Sequence, residues 1–272
     1  MSFLLSDPET FKITLEVVPP AGHDTGPLME KITPVSQLGF DGFSVASNPV
    51  ANPRMSAMAF SNLIQQKAGK PAILHFTVRD HNRLGLQAEL WGARALGIDT
   101  VIAVTGDPSA RTGDRPASTV NDLNVCELIA MARESGLTTG AVLDYRPEVD
   151  GLDHEIRRVE KKAEAGCQFI VTQPVYDPDT ARRISRGLAH IRIPVIMGIL
   201  PLLTARHAVF LHTKVAGIAV PDTLRREMAN SPAPLEAGIR NSREMLDLAR
   251  EMYTGACLMP PFDRFDILGE IL

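Results

Sequence analysis

One pattern recurs along the whole chain: a short apolar run, followed by turn-forming residues and then by an amphipathic stretch. Runs of β-branched residues that are bounded by turns and followed by about three helical turns are typical of parallel βα units. Seven such units are clear in 272 residues, which favours a closed barrel over an open doubly wound sheet. The predicted strands are Ile13–Val18, Phe43–Ala46, Ala72–Thr77, Thr100–Val104, Thr139–Leu143, Phe169–Thr172 and Val195–Ile199.

The eighth strand has two candidates, Gly217–Val220 and Gly255–Met259. We favour the second, because the amphipathic stretch Leu235–Tyr253 then supplies the helix before it. The first helix is expected to end near Leu38. The others are predicted over Pro53–Ala68, Leu84–Leu96, Leu123–Glu134, Asp153–Ala165 and Pro178–Ala189. No GxGxxG follows the first strand, which weakens a Rossmann interpretation. The prediction is therefore an α/β fold, a single-domain (β/α)₈ TIM barrel over residues 1–272.

Composition narrows the class of partner. Hydrophobic residues make up 44% and charged residues 22%, and the formal net charge is −4, so neither a nucleic acid nor a membrane surface is expected as a partner. Cys126, Cys167 and Cys257 are scattered without a CxxC pair, so we expect no zinc site and no disulfide framework. Free cysteines fit a reducing compartment, and we expect a cytoplasmic protein.

Active sites of parallel barrels lie at the carboxyl ends of the strands, here called the rim. Glu16 is an acid in an otherwise apolar strand, and carboxylates are rarely buried without a reason. Taken singly, His75 is more readily a hydrogen-bonded core residue and Asp107 a turn residue, and convergence on one rim is what favours function. Polar residues at the predicted rim are Glu16, Ser47, Asn48, His75, Thr77, Arg79, Asp80, Thr105, Asp107, Asp144, Tyr145, Arg146, Thr172 and Gln173.

Several chemistries are disfavoured by the absence of their motifs. His75 and Asp80 have no HxH or HExxH spacing, so no metal site is predicted. Neither GxSxG nor GxxxxGK[ST] occurs, which argues against a hydrolase elbow and a P-loop. Lys12, at the edge of the first strand, is the one lysine on a predicted strand, so Schiff-base chemistry has little support.

The rim motifs, in this order, resemble the methylenetetrahydrofolate reductase family. The resemblance covers nearly the whole chain and is greatest to its short, barrel-only branch, which includes the reductase half of bifunctional homocysteine methyltransferase–reductases. The segments that carry it are LEVVPP (15–20), ASNPVANPRMS (46–56), HFTVRDHNRLGLQAEL (75–90), LGIDTVIAVTGDP (96–108), GDRP (113–116), KKAEAGCQFIVTQPVYD (161–177), GILPL (198–202) and LMPPFDRF (258–265).

The resemblance implies hydride transfer between a flavin, FAD, and a folate-carried one-carbon unit, with NADH or NADPH as electron partner. Glu16 matches the acid that protonates N10 of methylenetetrahydrofolate, so that ring opening gives an iminium that accepts hydride from flavin N5. Asp107 matches the aspartate beside flavin and pterin, and Gln173 the glutamine that hydrogen-bonds the pterin. The remaining cofactor-binding matches are Ser47, His75, Thr105 and Gly106, with Lys161 and Lys162 near the flavin diphosphate.

The chain also departs from the family pattern. Enterobacterial-type members have arginine at the position of Thr105. The threonine of this chain therefore lacks one cationic contact to the flavin. Residues 174–176 stand where the family has aromatics after the glutamine of the sixth strand. Residues 257–259 and the Pro pair after them replace the histidine, aromatics and arginine expected around the last strand. Arg264 is the candidate to supply the lost positive charge to the folate tail. Two alternatives therefore stay open: a flavin-free NADH-dependent reductase, and a non-catalytic barrel subunit that binds folate or a partner. The residues do not set the direction of the reaction, and a homo-oligomer is expected.

Overall fold

The computed structural model describes residues 2–7, 9–107, 118–120, 122–145, 151–215 and 217–272. Eight parallel strands pair in chain order, and the eighth closes on the first. The strands are β1 (Lys12–Val17), β2 (Gly42–Val45), β3 (Ala72–Thr77), β4 (Thr100–Val104), β5 (Thr138–Leu143), β6 (Phe169–Pro174), β7 (Val195–Ile199) and β8 (Gly255–Leu258). The predicted (β/α)₈ barrel is confirmed.

Helices surround the barrel. They are α1 (Gly26–Val35), α2 (Ala57–Ala68), α3 (Arg83–Ala95), α4 (Val125–Glu134), α5 (Gly151–Glu164), α6 (Pro178–Leu188), α7 (Ala205–Lys214), α8 (Asp222–Asn230), α9 (Pro234–Met252) and α10 (Leu268–Ile271). The prediction that a helix starts at Pro53 is wrong: α2 starts at Ala57, because the Ser56 hydroxyl accepts a hydrogen bond from the Ala59 N–H and caps it there. Within the described ranges, no helix is long and apolar enough to cross a membrane.

The eighth strand is the favoured candidate. Gly255–Leu258 pairs with both β7 and β1, whereas 217–220 forms no strand. Gly255 lies opposite Lys12, and a Cβ at Gly255 would lie well inside contact distance of the Lys12 carbonyl oxygen. Closure of the barrel therefore depends on a residue without a side chain at this position.

The strands alternate between two cores. Ile13, Leu15 and Val17 of β1 belong to the core between barrel and helices, so the intervening Thr14 and Glu16 face the barrel interior. The interior core contains Ile73, Ile102, Phe169, Val171, Ile196 and Cys257. The interior is therefore a packed layer rather than a pore, with Glu16 near its carboxyl end.

The N-terminal segment covers the opposite end of the barrel. Leu4 joins the interior core, and the Thr100 hydroxyl at the start of β4 donates to the Ser2 hydroxyl at 2.7 Å. The ring of Phe3 packs against β2, where a Cβ on Gly42 would lie 2.6 Å from it. The amino ends of the strands are thus covered by residues 2–5, and the polar side chains gather at the rim.

Candidate active site

Glu16 is a partly buried acid at the carboxyl end of β1. Burial raises the pKa of its carboxyl to about 7. Among the residues that the structure describes, none gives this carboxyl a hydrogen bond or an ion pair that would offset the burial. Glu16 is therefore a group that exchanges a proton near neutral pH, at the position where the sequence predicts the acid.

His75 of β3 lies in the same interior layer. Its Nε2 is 2.7 Å from the hydroxyl oxygen of Ser44, and Ser44 lies opposite Glu16 in the β1–β2 pairing. Burial lowers the pKa of His75 to about 4, so the imidazole is neutral at pH 7. Ser44 was not singled out from the sequence, because an isolated serine in a strand carries no signal by itself.

The turn after β4 carries three of the predicted residues. Thr105 and Asp107 are exposed, and Gly106 between them is partly buried with φ +84°. One carboxylate oxygen of Asp107, Oδ2, accepts a hydrogen bond from the Val50 N–H at 2.6 Å. Asp107 is thus held at the rim with its carboxylate open to solvent.

The turn after β2 has an unusual backbone. Asn48, Val50 and Ala51 have φ values of 45°, 48° and 56°, and a positive φ at a β-branched residue such as Val50 is a genuine outlier. Such residues cost about 1–3 kcal/mol each and concentrate at functional sites. Ser47 precedes this turn and is partly buried. The strained turn supplies the N–H group that holds Asp107.

An ion pair lies beneath these two turns. Arg79, whose side chain is 7% exposed, binds both oxygens of Asp80, through Nε at 2.6 Å and Nη2 at 2.9 Å. Burial raises the pKa of Asp80, but hydrogen bonds from Arg79, Asn48 and Thr77 outweigh it, and the net pKa lies below its ordinary value. Arg79 also donates through Nη1 to the Asp107 carbonyl oxygen at 3.0 Å. The sequence predicts that Arg79 and Asp80 lie at the rim but assigns neither of them a role.

Gln173 is a partly buried residue of β6 and lines a cavity of about 110 Å³. Gly217 packs against it, because a Cβ there would lie 2.6 Å from Asp144 Oδ1 and 3.4 Å from Gln173 Cγ. Tyr176 lines the same cavity, and its buried hydroxyl has no hydrogen-bond partner within the described ranges. Gln173 therefore lies in the wall of this cavity, beside Gly217 and Tyr176.

Lys161 and Lys162 lie in the last turn of α5 and face different surroundings. Lys161 is exposed, whereas Lys162 is buried and its ammonium donates to the Val142 carbonyl oxygen at 2.6 Å. Burial lowers the pKa of Lys162. In this conformation only Lys161 presents its charge to solvent. The predicted motif 113–116, with Pro108 and Arg146, lies outside the described residues.

The end of β8 differs in character from the other strand ends. Burial, with a smaller contribution from the charge of Glu16, raises the pKa of the Cys257 thiol to about 12. Arg264 makes a two-pronged ion pair with Asp266, with both N–O distances 2.7 Å. Phe262 is 75% exposed with φ 55°, and its ring centroid lies 5.5 Å from that of His207. Sequence reasoning missed Phe262, because a positive φ at phenylalanine has no sequence signal.

Metal-ligating side chains do not gather in the described part of the chain, where no group of three or more His, Cys, Asp or Glu residues could hold an ion. The arrangement instead combines an acid whose pKa is raised to about 7, a neutral imidazole, a fixed aspartate and an amide. Such a set can donate a proton and hydrogen-bond a polar heterocycle.

A family model described as methylenetetrahydrofolate reductase matches residues 4–251. Methylenetetrahydrofolate reductase 2 of Schizosaccharomyces pombe is 25% identical over 199 residues, which are 66% of this chain and 31% of that protein. The 5,10-methylenetetrahydrofolate reductase of Buchnera aphidicola is 23% identical over 197 residues, 71% of this chain and 66% of that one. The chain thus spans about a third of the yeast relative and about two thirds of the bacterial one.

Solved structures share the fold. A Clostridium thermocellum protein that binds two copies of 5-methyl-5,6,7,8-tetrahydrofolic acid has a TM-score of 0.70 at 16% identity, over 97% of this chain and 93% of that chain. A 2,3-dimethylmalate lyase has a TM-score of 0.55 at 12% identity, over 98% of this chain and 81% of that chain. At these identities the likeness is one of fold alone.

Proposed function

The chain belongs to the methylenetetrahydrofolate reductase family, and from this membership we propose that it is a flavin-dependent oxidoreductase. It interconverts 5,10-methylenetetrahydrofolate and 5-methyltetrahydrofolate, with NADH or NADPH as electron partner. The observation that carries the proposal is Glu16, an acid with a pKa of about 7 inside the barrel. The binding of methyltetrahydrofolate by the similarly folded Clostridium protein also supports it.

Glu16 is the general acid in this proposal. A carboxyl that titrates near the operating pH is protonated in a large fraction of molecules and still transfers its proton readily. It protonates N10 of the folate, which opens the five-membered ring. Since none of the described residues gives the carboxyl a hydrogen bond, its proton is available to a substrate that enters from the rim.

Asp107 and Gln173 orient the pterin. A pterin edge has both hydrogen-bond donors and acceptors, and the Gln173 amide offers both kinds of group in return. Asp107 has an exposed carboxylate with one oxygen held by the Val50 N–H, so its other oxygen can accept from the pterin. The fixed orientation of Asp107 saves ordering entropy when the substrate binds.

The donor chemistry of the rim fits a flavin. His75 is a neutral imidazole, Thr105 offers an exposed hydroxyl, and Gly106 leaves its backbone accessible. These three, with Ser47, Asp107 and the exposed Lys161, would hold FAD, whereas the buried ammonium of Lys162 is bound to the Val142 carbonyl. When bound, FAD supplies the two-electron carrier between NAD(P)H and the folate.

A flavin-free NADH-dependent reductase is the second candidate. Two observations favour it: Thr105 provides no cation, and the Lys162 ammonium is already bound to the Val142 carbonyl. Both features reduce the positive charge available to a diphosphate. A homo-oligomer and a cytoplasmic location remain predictions from the sequence.

The test combines an absorbance spectrum of the purified protein with an NAD(P)H-dependent assay of methylenetetrahydrofolate reduction. We expect a yellow protein that releases FAD, oxidises NAD(P)H with menadione and reduces the folate. A colourless protein that cannot be reconstituted with FAD, yet turns over the folate, would select the flavin-free candidate. A protein that binds folate without turnover would instead identify a non-catalytic subunit.

A further inference from the structure

We propose that Arg79 is a positioning residue for Asp107: its guanidinium fixes the turn that presents this aspartate to the folate. The inference rests on the proposed function, which gives Asp107 its role. It starts from the position of Arg79, a buried arginine two residues beyond the end of β3 on the rim.

The guanidinium joins the turns that follow three neighbouring strands. It donates to the Asp107 carbonyl after β4 at 3.0 Å and to the Asn48 carbonyl after β2 at 3.5 Å. The backbone carbonyl of Arg79 itself accepts from the Val120 N–H at 2.9 Å. One side chain therefore supplies donors to backbone groups that are far apart in the sequence.

Gly106 packs directly on Arg79. A Cβ at Gly106 would lie 3.0 Å from Arg79 Cβ and 3.4 Å from Arg79 Cζ. Its φ of +84° also favours glycine, so the turn approaches the guanidinium closely before it reaches Asp107. The position of Asp107 is consequently set by contact with Arg79 as well as by the hydrogen bond.

Asp80 neutralises the positive charge of Arg79 and orients its guanidinium. Its two oxygens take Nε and Nη2 of the guanidinium, and Asp80 is held in turn by Asn48 Nδ2 at 3.2 Å and by the Thr77 hydroxyl at 2.9 Å. The ion pair satisfies the cation locally. The carboxylate of Asp107 is left to the Val50 N–H and to a ligand, while its carbonyl is held by Arg79.

This arrangement requires the planar fork of arginine. Arg79 serves Asp80 through two nitrogens and the Asp107 carbonyl through the third. A lysine retains the charge but is a point donor that cannot reproduce these directions. Arg79→Lys therefore separates position from charge, and Arg133→Lys, at an exposed arginine away from the rim, is the control. Arg133 also donates to a backbone carbonyl, that of Leu137 at 2.9 Å, but it lies before β5 at the other end of the barrel.

The experiment is a double-mutant cycle of Arg79→Lys and Asp107→Asn. It is read as kcat and KM for methylenetetrahydrofolate and as the Kd of 5-methyltetrahydrofolate by calorimetry. Small misplacements of reacting groups cost up to about 100-fold, so we expect Arg79→Lys to lower kcat about 10- to 100-fold. In the Asp107→Asn background the same change should alter kcat and Kd less than about 2-fold, because the group it positions is gone. Thermal unfolding of Arg79→Lys and Arg133→Lys shows that each variant is folded at the assay temperature, so that a loss of kcat is measured on folded protein.

Equal losses in both backgrounds would overturn the positioning role and leave the proposed function intact. If Arg79→Lys does not fold, Asp80→Asn takes its place, since it removes the counter-charge that orients the guanidinium; the same cycle with Asp107→Asn then decides, with the same two readings. A wild-type chain that neither binds nor reduces folate would overturn both the inference and the proposed function.

Discussion

The Val50 N–H donates to the Asp107 carboxylate at 2.6 Å, and Val50 makes this bond from a left-handed backbone conformation with φ 48°. A strained residue and the aspartate that we propose to face the folate are thus directly joined across the rim. The strain of the turn after β2 persists because Asp107 and the Asn48 contacts hold it.

Val50→Gly should relieve this strain. Glycine adopts φ +48° without penalty and keeps the N–H, and the Val50 side chain is 55% exposed, so little packing is lost. We expect the free energy of unfolding to rise by about 1 kcal/mol, after subtraction of the extra chain entropy of glycine. Chemical denaturation measures it. The control is Val209→Gly in α7, a similarly exposed valine in a helix. Its free energy of unfolding should fall by roughly 0.3–0.5 kcal/mol, the difference between the helix propensities of glycine and valine. A similar loss in Val50→Gly would contradict the strain.

Glu16→Gln should stabilise the protein in a pH-dependent way. The pKa of Glu16 is raised in the folded state, from 4.5 to about 7, so the folded state binds more protons than the unfolded state between these values. The free energy of unfolding of the wild type therefore falls as pH rises from about 4.5 to 7, whereas that of the glutamine variant does not change through this group. We expect the variant to gain about 1–3 kcal/mol over wild type at pH 8, relative to their difference at pH 4. Urea denaturation at the two pH values measures this, and a pH-independent difference would refute the raised pKa.

The pH profile of folate reduction should report the same group. The value of kcat/KM reflects the essential acid of the free enzyme, so it should be constant below pH 7 and fall about tenfold per unit well above it. Flavin reduction by NAD(P)H needs no proton from Glu16, and its rate should not follow that profile. A folate profile that is flat from pH 6 to 9 would remove Glu16 from the proton-transfer step.

His75 should remain neutral throughout this range. Burial lowers its pKa to about 4, and its ring nitrogen is bound to the Ser44 hydroxyl. NMR titration of the imidazole should give a midpoint near 4, well below the ordinary value for histidine of about 6.5. A midpoint above 6 for His75 would show that the imidazole is hydrated and that the interior layer is open.

Gly255→Ala should disrupt barrel closure. The added methyl group would overlap the Lys12 carbonyl, and backbone cannot move aside as a side chain can. Overpacking of this kind costs about 1–3 kcal/mol or more. The matched control is Gly39→Ala, where a Cβ meets nothing within 4 Å. Thermal unfolding compares the two variants, and equal Tm values would contradict the pairing of β8 with β1.

The strands were readable from the sequence because β-branched runs bounded by turns have few alternatives. Ala72–Thr77, Thr100–Val104 and Val195–Ile199 have the predicted bounds. Helices α7 and α8 were not predicted; α7 leaves Val209 and Phe210 exposed, so its apolar periodicity is weak.

For the site, topology was enough to place Glu16 and Asp107 on one rim, because carboxyl ends of parallel strands converge. The roles of Ser44, Val50 and Arg79 depend on hydrogen bonds between strands or turns that are up to 57 residues apart in the chain. Such contacts leave no local pattern, and neither does the positive φ of Val50. What the sequence predicts is therefore the location of the site, and what it does not predict is how each group is held.

The most direct test of Glu16 as the general acid uses the Glu16→Gln variant with its flavin reduced. The quantity measured is the rate at which 5,10-methylenetetrahydrofolate reoxidises that flavin. Glutamine keeps the size and polarity of Glu16 but cannot supply the proton to N10, so this rate should fall by at least about 100-fold, as general-acid catalysis contributes about 10²–10⁴. Reduction of the same variant by NAD(P)H, and both half-reactions of a surface control, Glu134→Gln, should proceed at the wild-type rate. Folate-dependent reoxidation at the wild-type rate in Glu16→Gln would contradict the account.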